Sequence, residues 1–161
     1  MNNCYRIVSF SIVIALMLAM LPLPDWAQAF RPDWVAMVLI YWVMALPQQV
    51  GVTFAWVSGL LLDVTLGSIL GQHAIGLVLV SFLVLLQYKR IRVFSLFQQS
   101  IVVFILLIFK QIIVLWVSGI VGQEAETWSY FLPSLIGAMI WPWVFTLLRN
   151  IRRQNTRTSQ M

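Results

Sequence analysis

Apolar residues fall in six long runs along this chain, and polar or helix-breaking residues mark the gaps. The runs cover residues 7–23, 32–46, 50–67, 74–88, 97–121 and 130–148. Each is continuous and lacks the alternation of a lipid-facing barrel strand, so the pattern predicts helices. A helix crosses a hydrocarbon core about 30 Å thick with roughly 20 residues. The first, third and sixth runs approach that length. The second and fourth reach only about 22 Å on a rise of about 1.5 Å per residue, a mismatch that flanking residues or local bilayer thinning accommodates. The fifth is long enough to tilt. Pro22 and Pro24 close the first run. Pro32 stands at the first turn of the second, where its missing N–H is not needed, and Pro47 ends it. Gly67 and Gly71 end the third run, Lys89 to Arg92 separate the fourth from the fifth, and Gln123, Glu124 and Glu126 precede the sixth. Residues 150–161 form a polar tail that reads as frayed.

Composition narrows the class. The chain has 161 residues, 61% hydrophobic and 9% charged, whereas a soluble domain is about 45–50% apolar and about 25% charged. A globule of this size leaves much of its surface in water, so a soluble enzyme is excluded. What remains is an all-α integral membrane protein, a single polytopic domain of six transmembrane helices spanning residues 1–161. The lone cysteine, Cys4, excludes an internal disulfide; it lies near a membrane interface.

Charge sets the orientation. Lys and Arg collect on cytoplasmic loops. With both termini cytoplasmic, Arg6, Lys89, Arg90, Arg92, Arg149, Arg152, Arg153 and Arg157 fall inside, eight of the ten basic residues, and residues 149–161 become a basic cytoplasmic tail. Arg31 falls outside, as do Asp25, Asp33, Glu124 and Glu126. The net charge of +5 then follows from topology and from anionic lipid at the inner leaflet, with no need for nucleic acid. Lys89, Arg90, Arg92, Arg149, Arg152 and Arg153 are the interface residues of that reading. Trp26, Trp34 and Trp128 fall near the outer surface. Arg6, the first run and Ala27-Gln28-Ala29 also resemble a secretory signal with its cleavage site. The length of the run and the crowding of the site by Pro22, Pro24, Asp25 and Trp26 favour a retained helix.

Two charges lie within the runs. Asp63 stands 13 positions beyond Val50, about 20 Å along its helix and so in the outer half of the bilayer. An intramembrane carboxylate carries a penalty of roughly 2.5–3.5 kcal/mol unless neutralised, paired or wetted. Ala55, Gly59, Asp63 and Gly67 recur at i, i+4, a stripe of small residues on which another helix can pack closely. Lys110 stands 13 positions beyond Phe97, at matching depth, which makes Asp63 and Lys110 a candidate ion pair. The alternatives are a Lys110 that extends to the interface and a protonated Asp63. Gln111 and Ser118 share a helix face and suit interhelical hydrogen bonds. His73, without a matching cluster of ligands, is structural. Trp141-Pro142-Trp143 places a kink in the sixth helix. No nucleophile–base pair, phosphate loop, metal cluster or cofactor motif is present.

Three segments resemble the MreD family of rod-shape-determining membrane proteins. They are Phe30-Arg31-Pro32-Asp33-Trp34 followed by Tyr41-Trp42 and Ala45-Leu46-Pro47; the run Gly59, Asp63, Gly67, Gly71 at fourfold spacing; and Trp141-Pro142-Trp143 before a basic tail. The resemblance implies a non-enzymatic inner-membrane scaffold or regulator of cell elongation and peptidoglycan synthesis. It implies work with MreC and, through it, with RodA, a class B penicillin-binding transpeptidase and MreB. It also implies a bundle similar to the substrate-binding subunits of energy-coupling-factor transporters, and it marks Gly59, Asp63, Gly67 and Gly71 as motif residues without assigning their chemistry. A small-molecule-binding transport subunit is the second expectation, with Asp63, His73, Lys110 and Gln111 lining a cavity. An intramembrane enzyme or flippase lacks a catalytic constellation.

Overall fold

A computed structural model describes residues 2–24, 27, 30–122 and 131–158. Six helices and no strand occur among them: α1 Asn2–Met20, α2 Trp34–Ala45, α3 Val52–Leu66, α4 Gln72–Ile91, α5 Leu96–Ile120 and α6 Leu132–Thr158. Residues Gln72–Ile91, Leu96–Ile120 and Leu132–Gln154 are long and apolar enough to cross a membrane; the apolar parts of α1, α2 and α3 are shorter. Expectations for Asp25, Trp26, Glu124, Glu126 and Trp128 lie outside the described residues.

Successive helices run antiparallel. Trp42 on α2 donates its indole N–H to Ser11 on α1 (2.7 Å), Gln72 on α4 bonds Ser118 on α5 (2.6 Å), and Trp141 on α6 reaches Gln99 on α5 (3.4 Å). α2 occupies the centre and touches each of the other five helices. Eleven of its twelve residues are buried. A helix apolar on every side is stable only when protein or lipid covers every side, and here protein does. Its shortness follows: a helix wrapped by neighbours need not meet the bilayer thickness alone. Tyr41, Trp42, Trp141 and Phe145 form an aromatic knot against it, with Tyr41 edge-on to Phe145 at 5.5 Å and to Trp42 at 5.3 Å.

α1 packs into this core through Val8, Ile12, Ala15 and Leu16. Arg31 holds its far end by donating to the Leu18 and Leu21 carbonyls (3.1 and 3.2 Å), groups left without helical partners at a C-terminus. The tail differs from expectation. α6 continues to Thr158, and Ile151 carries the helix's packed face past the last apolar run. The antiparallel order gathers Arg6, Lys89, Arg90, Arg92, Arg149, Arg152 and Arg153 at one end of the bundle and Asp33 and Asp63 at the other.

Candidate functional site

The motif Gly59, Asp63, Gly67, Gly71 builds a single joint between α3 and α4. Gly67 ends α3 in the left-handed region, φ +66°, where a side chain would be strained. Ser68 then returns its N–H to the Asp63 carbonyl at 3.0 Å. The chain reverses over Gly71, φ +100°, the N-cap of α4. A glycine cap has no side chain with which to accept the first amides of its helix. Asp63 accepts them instead, from the end of the preceding helix. Its Oδ2 takes the Gly71 N–H at 2.8 Å and the Ala74 N–H at 3.4 Å; its Oδ1 takes the His73 N–H at 2.9 Å. The Ser68 hydroxyl adds a bond at 2.9 Å and His73 Nδ1 lies at 2.8 Å, with the proton assigned to the ring nitrogen because an ionised carboxylate only accepts. Asp63 is fully buried. Negative charge at a helix N-terminus is also favoured by the positive end of the helix dipole, so the α4 backbone amides, Ser68 and His73 together hold this carboxylate.

Gly59 lets the two helices of the joint close. A methyl group at its α-carbon would lie 2.8 Å from the Ala74 nitrogen and 2.9 Å from its Cβ. Together with the burial of Ala55, Gly59 and Asp63, this places the α3 part of the small-residue stripe inside the bundle, with Gly59 against α4; Gly67 is exposed.

The expected pair of Asp63 and Lys110 does not form. Lys110, 3% exposed, makes its ion pair with Asp33 Oδ2. The other oxygen of Asp33 caps α2, accepting the Ala36 N–H at 3.1 Å. The reason is one of vacancy. A carboxylate offers about four lone-pair sites, and five donors already converge on Asp63; Asp33 has only one helical amide and keeps an oxygen for the ammonium. Equal depth along two helices put Lys110 at the right end of the bundle but did not identify its partner. Gly76 on α4 makes room for the lysine stem, since a Cβ there would lie 2.9 Å from Lys110 Cγ.

Gln111 and Ser118 reach different helices. The Ser134 hydroxyl on α6 donates to Gln111 Oε1, and Gln72 on α4 donates to Ser118 Oγ. Among the described residues no group of three or more His, Cys, Asp or Glu is placed to hold a metal. The residues that sequence reasoning missed are Asp33, Ser68 and Gln72. Asp33 was legible as an N-cap, an aspartate just ahead of an apolar helix; its tie to Lys110 was not.

At the opposite end of the bundle, Lys89, Arg90, Arg92, Arg149 and Arg153 are exposed and Arg152 is half-buried. Trp141 is buried and Trp143 exposed, so the two tryptophans flanking Pro142 face opposite surroundings.

A family model described as rod shape-determining protein MreD matches residues 1–151. The rod shape-determining protein MreD of Haemophilus influenzae is 34% identical over 150 residues, covering 93% of this chain and 92% of that protein. No solved structure matches.

Proposed function

The chain belongs to the MreD family of rod shape-determining proteins, and from that premise we propose that it is a non-enzymatic, six-span scaffold or regulator of the cell-elongation machinery in the inner membrane. It acts there with MreC, and through it with RodA, a class B penicillin-binding transpeptidase and MreB, to direct peptidoglycan synthesis and hold rod shape. The observation that carries this proposal is the near-complete match to the family. The chemistry of the bundle supports it: the intramembrane polar groups are spent on caps and interhelical ties. Asp63 serves α4, Lys110 serves Asp33, and Gln111 serves Ser134. These are among the side chains that a transport subunit with a polar cavity would require free. With the small-residue stripe closed against α4, partner contacts fall to the exposed apolar faces, where Trp56, Val64, Trp116, Met139 and Trp143 stand out. The start of α1 and the end of α6 lie at the arginine-bearing end, which is cytoplasmic by the bias of Lys and Arg.

Depletion of the protein in a rod-shaped host tests the proposal. Rounded cells are the expected outcome, with MreC co-purifying with the protein from detergent. Unchanged cell shape refutes it.

A further inference from the structure

The basic end of the bundle contains a cavity of about 210 Å³ between the end of α2, the start of the turn after α4 and the last turns of α6. Arg92, Arg149 and Arg152 line it together with Tyr41, Phe145 and Met44. Tyr41 is 2% exposed, and its hydroxyl has no hydrogen-bond partner among the described residues. A buried hydroxyl without a partner is an unfavourable arrangement, and tyrosine hydroxyls in apolar cores find partners as a rule. The cations that share the cavity with this tyrosine are the same three arginines. They come from two separate parts of the chain, the α4–α5 turn and α6.

We propose that this cavity is a binding site for the phosphate head group of an anionic phospholipid. The guanidinium groups hold the phosphate through charge-assisted, forked hydrogen bonds. The Tyr41 hydroxyl donates to a phosphate oxygen and so gains the partner it lacks. Phe145, half-buried at the cavity, offers an apolar wall to the glycerol backbone. A lipid suits the position better than an acidic peptide does. The cavity lies at the basic end of the bundle, beside the ends of α2 and α4, the end that the bias of Lys and Arg assigns to the cytoplasmic interface; basic pockets between helix ends are a recurrent means of holding acidic head groups. The site is independent of the scaffold proposal, because it requires neither MreC nor any other protein.

The experiment measures binding of dioleoyl phosphatidylglycerol and of dioleoyl phosphatidylcholine to the delipidated protein in neutral detergent, by the shift of its melting temperature. Phosphatidylglycerol is expected to saturate and to raise the melting temperature; phosphatidylcholine is not. Arg149→Gln with Arg152→Gln weakens phosphatidylglycerol binding about thirtyfold, from the loss of two interfacial cations. Tyr41→Phe separates the site from a structural role. It removes an unpartnered hydroxyl and keeps the ring, so the lipid-free melting temperature holds or rises while lipid affinity drops about tenfold. The proposal is overturned by equal shifts from the two lipids, or by an undiminished shift in the arginine double variant or in Tyr41→Phe. It is overturned equally if inorganic phosphate reproduces the full shift, which assigns the site to a free anion, or if a glutamate-rich peptide binds there and the lipid does not.

Discussion

Lys110 and Asp33, 77 residues apart in the chain, form an ion pair that joins the middle of α5 to the N-terminus of α2. Both partners do double duty: Asp33 also caps α2, and the lysine stem fills the space left by Gly76. Lys110→Met should therefore destabilise the protein by about 1–3 kcal/mol, the effect of leaving the half-buried Asp33 carboxylate without its partner. Adding Asp33→Asn should recover most of it, since the amide oxygen still accepts from Ala36. Thermal unfolding of the two single variants and the double variant in detergent measures the coupling. Simple additivity would show that the pair is not formed, and strong coupling of Lys110 to Asp63 instead would restore the pairing expected from depth.

The cap on α4 predicts an order among substitutions. Asp63→Ala strands the amides of Gly71 and His73 and should cost at least about 2 kcal/mol. Asp63→Asn keeps an acceptor and should cost about half as much. His73→Ala leaves the backbone donors in place and should be the mildest of the three. An Asp63→Ala variant no less stable than His73→Ala would rule out the carboxylate as the cap.

Gly59 meets the Ala74 backbone, which cannot retreat as a flexible side chain can. Gly59→Ala should cost about 1–3 kcal/mol by overpacking, and Gly59→Leu should abolish accumulation of the protein in the membrane. A Gly59→Leu variant that accumulates normally and loses only co-purification with MreC would move the stripe from the interior to a partner surface.

Gly67 and Gly71 face open space, so their sensitivity is conformational. Alanine at either position should cost about 1 kcal/mol from positive φ alone. Asparagine, which tolerates the left-handed region better, should be milder at Gly67. Equal stability of the Ala and Asn variants at Gly67 would argue against this cause.

α2 should be the last element to open. Its backbone is covered on all sides by other helices, and slow amide exchange follows coverage and cooperative packing. Hydrogen exchange read by mass spectrometry should show residues Trp34–Ala45 protected for longest and the end of α6 for the shortest time. Faster exchange in α2 than in α5 would contradict its central place.

The six helices were legible in the linear pattern, because continuous apolar runs bounded by Pro, Gly and charge allow little else. Charge bias likewise separated the two ends of the bundle, since it depends on only the order of the spans. The motif Gly59, Asp63, Gly67, Gly71 was visible as spacing, but its meaning was not. A period of four suggests a helix face, and the structure uses only its first half so; Gly67 and Gly71 lie beyond α3 and turn the chain back on Asp63. The partner of Lys110 was also beyond reach, because depth along a helix specifies a level and leaves the azimuth open. Which carboxylate meets the ammonium depends on which one has an oxygen left after local backbone donors are satisfied, and that is settled only when α2, α4 and α5 come together. The same holds for Tyr41 and the three arginines. Their meeting around one cavity is a product of packing between segments some fifty residues apart or more, for which local periodicity carries no signal.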